Sequence, residues 1–497
     1  MKSVLLGTAL LAGSFCAQAQ ATLVSNINLS GDSYPSWITI FKNKVVFAAS
    51  NDTSGHELFW LDNDTAKLLY NMNPVGDALL YSNNAKLAVS GDYAYFPADN
   101  GITGTELYRW DGTAVPSLVL DLYPGGISSG IEEVVAHNGL LYFGGLGDAY
   151  GNELWSYNPA NGYKQRVTDV SPGGLNSFPR FITTYKNKLY FTATTLGGAD
   201  MYVYDPMTNS TLLMSDAVPS FAGSNADGYT VINDKLYFTA EEGATGRELY
   251  VYDGVEVKRL TDINSGSGDG IYNPFSTRNP LFGHDGKIYF AGDNGMTGVQ
   301  LYAYNPANGT AAVVFILNPS GDGNPANFTA YAGKMYFTAD DGTNGYELWA
   351  YDGTGIPVMK ADVETGAGSS YPSNLTRLNS ELYFSAYSST TGVELYKFSD
   401  SAALGVQNVR FAADVKVYPN PATETATVSV SLKKAQAMGI SLVDMTGKIV
   451  YSTPAQPYSA GTQLLQLPMA QLPAATYAYR IYDNAGTTLY TGRIQKQ

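Results

Sequence analysis

The sequence predicts an all-β protein: an eight-bladed β-propeller with four strands per blade, followed by a small Ig-like antiparallel β-sandwich. Three observations carry the prediction. A short motif recurs eight times at near-constant spacing. Gly 52 and Tyr 38 in 497 residues, with only 15% charged side chains, suit many short strands joined by tight turns. The pattern then changes near residue 416, where the repeats have stopped.

The first 21 residues read as an export signal. Lys2 supplies the positive start, and Val4 to Leu11 form an apolar core too short to span a bilayer. Ala17-Gln18-Ala19 and Ala19-Gln20-Ala21 both offer small residues for cleavage. Either cut removes Cys16, the single cysteine, so disulfides, thiol nucleophiles and cysteine metal ligands are excluded from the mature chain. No later apolar run is long enough for a membrane helix.

Residues 22–398 hold the repeats. The segments open at Gly55 (GHELFWLDN), Gly104, Gly151, Gly198, Gly246, Gly298, Gly345 and Gly392 (GVELYKFSD). Their acidic or amide position falls at Glu57, Glu106, Glu153, Asp200, Glu248, Gln300, Glu347 and Glu394, with spacings of 49, 47, 47, 48, 52, 47 and 47. Four strands fit each period, which is the length of a propeller blade. In the fourth unit, Arg180 to Tyr185 read as the first strand, Lys188 to Ala193 as the second, Asp200 to Tyr204 as the third and Thr211 to Met214 as the fourth. Asp-Gly pairs at Asp111, Asp253 and Asp352 are hairpin-turn chemistry. The second strands are apolar at nearly every position, as expected of sheets covered on both faces. The eighth unit stops at Lys397-Phe398 without a fourth strand, and Thr22 to Ser36 match the missing piece as it stands at Val358 to Ser373. The first strand of the mature chain is therefore expected to close the last blade, leaving no exposed edge.

The motif E-L-[WY]-x-[YW]-D-G-T, present at Glu106 and Glu347, resembles that of bacterial ELWxxDGT repeat proteins, and the resemblance implies a propeller.

Residues 399–415 are small and polar and read as a linker. From residue 416 to 497, alternating strands are expected over Ala426 to Leu432, Gly439 to Asp444, Lys448 to Tyr451, Gln463 to Leu467, Thr476 to Tyr482 and Thr488 to Ile494, fitting a small sandwich. Tyr418-Pro419-Asn420-Pro421-Ala422, then LVDMTGKIVY with its Gly447-Lys448 turn, and a final strand ending in Lys496-Gln497 together resemble the type A C-terminal sorting domain of the type IX secretion system. That resemblance implies the type IX machinery as partner, passage through the periplasm, and an extracellular or outer-membrane-surface destination.

Charge narrows the partners. Residues 414–497 hold seven Lys/Arg and four Asp/Glu and the signal adds Lys2, so residues 22–413 carry −19 of a formal net −15. An acidic surface repels phosphate backbones, which excludes nucleic acid. An acidic or amide side chain at the same place in every blade suggests a structural task, hydrogen bonding to backbone N–H groups, because an active site is normally made once. The neutral Gln300 supports this. Acidic pairs precede the motif turns, and Asp99, Asp293, Asp340 and Asp341 are the calcium candidates among them. Calcium needs six to eight oxygens, the spacing matches no EF-hand, and solvated turns are the simpler reading. With His56, His137 and His284 far apart in sequence, a zinc site or Ser-His-Asp triad is not expected. Trp60, Trp110, Trp155 and Trp349 read as core between blades. The expansion between Asp262 and Pro280 is either a tolerated surface insertion or an added recognition feature. The resulting functional reading is a non-catalytic surface or secreted module binding an extracellular protein or glycan. A carboxylate-based polysaccharide hydrolase or lyase is the alternative, and a structural or adhesive surface component the third reading.

Overall fold

The computed structural model describes residues 21–81, 87–147, 149–214, 223–378, 380–400, 412–432, 435–444, 449–483 and 488–497. Residues 1–20 of the stretch read as an export signal, and most of 399–415, read as a linker, lie outside them. The chain divides into two compact units, Met1–Ser399 and Asp400–Gln497. Every element is a β-strand. Among the described residues, no helix is long and apolar enough to cross a membrane.

Among the described residues of the first unit, the strands form eight antiparallel sheets, seven of four strands and one of five. The fourth is typical: Arg180–Tyr185, Lys188–Thr195, Gly198–Asp205 and Ser210–Leu213 follow one another as a meander. Its first turn, Lys186-Asn187, has φ of 44° and 64°, both left-handed, as the twist of a two-residue hairpin requires. The second strand is buried on both faces, with Leu189, Phe191 and Ala193 at 0% exposure beside Tyr190 and Thr192. Each sheet packs against its neighbours. One cluster joins Phe41, Val46 and Leu58 of the first sheet to Phe96, Tyr108 and Trp110 of the second. Another joins Val45, Phe47 and Phe59 of the first sheet to Tyr383 and Leu395 of the eighth. This stacking of meander sheets is propeller-like. The Trp110, Trp155 and Trp349 rings are buried, and Trp60 is half-buried under Lys44.

The two ends of the repeat region meet. Thr22–Ser25 pairs antiparallel with Gly392–Phe398, Thr22 opposite Lys397 and Leu23 opposite Tyr396, and supplies the fourth strand of the eighth sheet. Ser373–Leu378 touches Ala326–Tyr331 on one side and Ser36–Phe41 on the other. The first and last sheets are thus neighbours across a seam held only by non-covalent contacts.

The second unit has two antiparallel sheets over one core. Ala412–Tyr418, Thr425–Leu432 and Gly461–Pro468 form one; Ile449–Ser452, Gln436–Val443, Thr476–Tyr482 and Thr488–Gln495 form the other. Ala412–Tyr418 begins inside the stretch read as linker. Ala412-Ala413-Asp414 lacks alternation, and the strand is held by Val415 and Val417 packing on the core.

Candidate functional site

The eight repeated side chains lie inside the first unit, each at the start of a third strand and each almost fully buried. They face the loop that leaves the same sheet. Glu57 accepts from the Met72 and Asn73 N–H groups at 3.1 and 3.0 Å. Glu106 accepts from Leu122 and Ser129, Glu153 from Val170 and Ser171, Asp200 from Gly223 and Ser224, and Glu347 from Val363 and Ser370. Glu248 accepts from Thr261 and Ile263. Gln300 accepts from Leu317 and Asn318 through Oε1, and its Nε2 donates to the Thr297, Asn318 and Gly321 carbonyls. Glu394 instead holds the segment after Thr22–Ser25: Ile27 and Asn28 N–H and the Ser33 hydroxyl all donate to it. Burial pushes the Glu57 and Glu347 carboxyls up to about 7, against the lowering effect of these hydrogen bonds, and raises Glu106, Glu248 and Glu394 as well.

The calcium candidates are not brought together. Asp99, Asp293 and Asp340 each accept from the glycine N–H two residues on, and Asp341 caps Thr343 and Asn344. These are local Asx turns in three sheets. Among the described residues, no three His, Cys, Asp or Glu side chains gather to hold a metal ion.

A cavity of 630 Å³ opens at the seam between the eighth and first sheets. Four half-exposed tyrosines form its walls: Tyr34 and Tyr81 on one side, Tyr371 and Tyr387 on the other. Tyr34 meets Tyr81 edge-on at 6.0 Å, and Tyr371 stacks on Tyr346 at 5.1 Å. The 265–280 expansion contributes Phe275, which stands edge-on to Tyr346 and Tyr371 at 5.4 and 6.4 Å.

A buried histidine sets the Tyr81 wall. His56, at 0% exposure, lies between two hydroxyls: Nε2 is 3.2 Å from Ser36 Oγ, and Nδ1 is 3.2 Å from Ser50 Oγ. Ser50 Oγ bonds the Tyr81 hydroxyl at 2.9 Å, and the Tyr81 ring stacks on the imidazole at 4.1 Å. Burial lowers the His56 pKa to about 4 despite Asp77 nearby, so the ring is neutral at pH 7. A Ser–His pair of this kind invites comparison with a nucleophile and its base. A general base works best with a pKa near the operating pH, and here a hydroxyl, Ser50, takes the place of the orienting carboxylate. Sequence reasoning missed this contact, since nothing in a lone His-Glu pair signals Ser36. His137 and His284 stand in the third and sixth sheets, apart from it.

The same expansion reaches the middle of the ring of sheets. Arg278 and Asn279 line a 450 Å³ cavity with the first strands of the second to fifth sheets. Arg278 pairs with Glu133, and both bind Ile182: the guanidinium donates to its carbonyl at 2.6 Å, and its N–H donates to Glu133 at 3.2 Å. The residue thus ties the sixth sheet to the third and fourth. Both partners are about 15% exposed, 14% for Arg278 and 15% for Glu133, so truncating one strands the other. Arg278→Ala is expected to cost about 2–4 kcal/mol, read as a lower melting temperature in scanning calorimetry; an unchanged melt would make the expansion a passive insertion. An adjoining 410 Å³ cleft is lined by Glu132, Glu133, Phe178, Arg180 and Arg278. Its one deep carboxylate, Glu133, is held by that ion pair.

In the second unit the two ends of the sorting motif meet. Asn420 Oδ1 accepts from Gln495 N–H at 2.9 Å, Ala422 and Gln495 share a backbone bond at 2.8 Å, and Gln497 N–H donates to Ala422. Tyr418, Pro419 and Pro421 complete that turn, and Lys496 forms a bridge with Ala422. Gly447 and Lys448 lie outside the described residues.

Residues 416–495 match the family described as the secretion system C-terminal sorting domain. No curated protein sequence matches the chain. Among solved structures, it is similar to PorZ, a surface component of the type-IX secretion system of Porphyromonas gingivalis, at 13% identity over 91% of this chain and 64% of that one, with a TM-score of 0.41. It is also similar to a puromycin-hydrolyzing peptidase of Mycobacterium tuberculosis, at 11% identity over 74% and 61%, TM-score 0.46. A third is the β-propeller domain of the Trilobed protease from Pyrococcus furiosus, at 10% identity over 63% and 93%, TM-score 0.37. The chain spans less than two thirds of the first two structures. A sorting domain of this family at residues 416–495 marks an exported chain, delivered through the periplasm to the cell surface or the medium.

Proposed function

We propose that this exported chain is a non-catalytic binding module: a closed, eight-bladed propeller of the ELWxxDGT type over residues 22–398, delivered by an Ig-like sorting sandwich over residues 416–497. Residues 1–21 act as the export signal, and the type IX machinery handles the C-terminal domain. The ligand is an extracellular protein or glycan. One observation carries the reading, the 630 Å³ seam cleft with four half-exposed tyrosine walls. Large concave sites lined by aromatic rings and a few polar groups are the usual form of ligand sites. The repeated carboxylates act as loop staples.

Two facts weigh against the enzyme alternative. Glu133 is engaged by Arg278 and the Ile182 N–H, which removes it as a free acid or base. Burial lowers the His56 pKa to about 4, which leaves its imidazole a weak base at pH 7. The test applies the full mature chain to a mixed array of glycans and extracellular proteins while assaying for new reducing ends. Binding that Tyr371→Ala weakens at least about tenfold, without new reducing ends, is expected. New reducing ends, or binding indifferent to Tyr371, would overturn the proposal.

A further inference from the structure

Resting on that reading, we infer that the seam cleft takes a neutral saccharide, stacked against Tyr34 and Tyr371. The backbone supplies the first argument. The chain enters the first strand of several sheets through a residue in the left-handed region. That position is Gly130 (φ 65°), Asn225 (φ 46°) and Asn324 (φ 42°) in three repeats, the residue types that accept this conformation most readily. Aromatic side chains occupy it in three others, Tyr34 and Tyr371 with φ of 47° each and Phe178 with φ of 44°, and all three stand half in solvent, 48%, 52% and 53% exposed. Three residues further on, Trp37 is also left-handed, but its ring is buried at 2% and packing explains it. Phe178 borders the separate 410 Å³ cleft, whereas Asp32 and Tyr81 hold the Tyr34 ring and Tyr346 and Phe275 hold the Tyr371 ring, so the two tyrosine faces are fixed across the seam cleft. Such strain persists where the surrounding structure over-determines it, as in ligand clamps.

The lining supplies the second argument. No charged side chain borders the cleft, in a chain of formal net charge −15. Between the tyrosines stand hydroxyls, among them Ser36, Ser373 and Ser385. The nearest carboxylates are engaged. Asp32 accepts from the Tyr34 hydroxyl at 2.8 Å and the Val393 N–H at 2.7 Å, and Asp77 accepts from the His56 N–H at 2.7 Å. A charged ligand would lose water here with no counter-charge to replace it. A sugar ring offers what the cleft complements: a C–H face for the tyrosine rings and hydroxyls for the serines. The two wall pairs belong to the first and eighth sheets, so a bound sugar bridges the seam, and binding stabilises ring closure by mass action.

The repeats also provide the variants. Tyr34→Asn and Tyr371→Asn install the residue that Asn225 and Asn324 already carry at this backbone position, removing the ring while relieving strain. The full mature chain is titrated calorimetrically with cellohexaose, xylohexaose, mannohexaose and laminarihexaose, with oligogalacturonate as the anionic control and a proline-rich peptide as the alternative occupant. At least one neutral hexaose is expected to bind and to raise the melting temperature by about 2 °C or more at saturation. The double Asn variant is expected to lose at least about tenfold in affinity with a melt within about 2 °C of wild type. Silence from the whole neutral panel overturns the inference, as does an Asn variant that retains its sugar. Preference for the peptide or the anionic control, abolished by the same variants, overturns the saccharide assignment and leaves the seam cleft as the binding site.

Discussion

Removal of residues 22–33 is expected to lower the melting temperature of the propeller-like unit by about 10–20 °C, or to stop it folding. Three losses combine. The strand Thr22–Ser25 leaves the edge of Gly392–Phe398 unpaired, opening a row of backbone donors and acceptors to solvent and to other chains. Val24 and Ile27 are withdrawn from the cluster around Phe47, Phe59 and Leu395. Glu394, at 0% exposure, loses the Ile27 and Asn28 N–H groups and the Ser33 hydroxyl together. Stranding one buried ionised group costs about 3–5 kcal/mol by itself. For a unit of this size, each kcal/mol corresponds to about 2–4 °C or less. Circular dichroism melts of the two chains decide the matter. Coincident melts would mean that the seam does not hold the ring. Because Tyr34 follows directly on the deleted segment and Asp32 fixes its hydroxyl, the shortened chain should also lose ligand binding.

The four-stranded unit was legible because its information is local. Near-continuous apolar second strands, two-residue turns such as Lys186-Asn187, and an acidic or amide side chain every 47 to 52 residues are readable from repeat to repeat. The terminal pairing was legible for the same reason, since Thr22 to Ser36 repeat Val358 to Ser373. The seam cleft was not, because it is assembled from opposite ends of the repeat array: Tyr34 and Tyr81 near the start, Tyr371 and Tyr387 near the end. A signal existed. Aligning the repeats on the residue before the Pro or Ala that precedes each first strand sets the aromatics Tyr34, Phe178 and Tyr371 against Asn225 and Asn324. Only the φ values turn that difference into strain. The role of the 265–280 expansion was likewise open, because Arg278 finds Glu133 and Ile182 in other sheets, and no local pattern encodes such a contact. Asp99, Asp293 and Asp340 show the opposite limit. Their neighbours in sequence suggested a metal, and their own backbone absorbs them.

The repeated carboxylates give the second large effect, and it has a sign. Glu347→Ala removes the acceptor for the Val363 and Ser370 N–H groups inside a buried loop and should cost about 3–5 kcal/mol. Glu347→Gln should cost about 1 kcal/mol or less at pH 7, because Gln300 already fills this position with Oε1 accepting two N–H groups and Nε2 donating to loop carbonyls. That geometry also marks where a protonated carboxyl can place its hydrogen. Burial raises Glu57 and Glu347 to about 7 from an ordinary 4.5, so the folded chain binds protons more tightly than the unfolded one. Their contribution is then fully present below pH 4.5 and is lost as pH rises through 7. Going from pH 8 to about 5.5 should therefore stabilise the wild type by on the order of 1–2 kcal/mol per group. The Glu57→Gln/Glu347→Gln chain isolates this term, since every other titrating group is common to both. A wild type that gains no more than the double variant on acidification would show that both carboxylates stay ionised, held by their N–H donors against the dry surroundings.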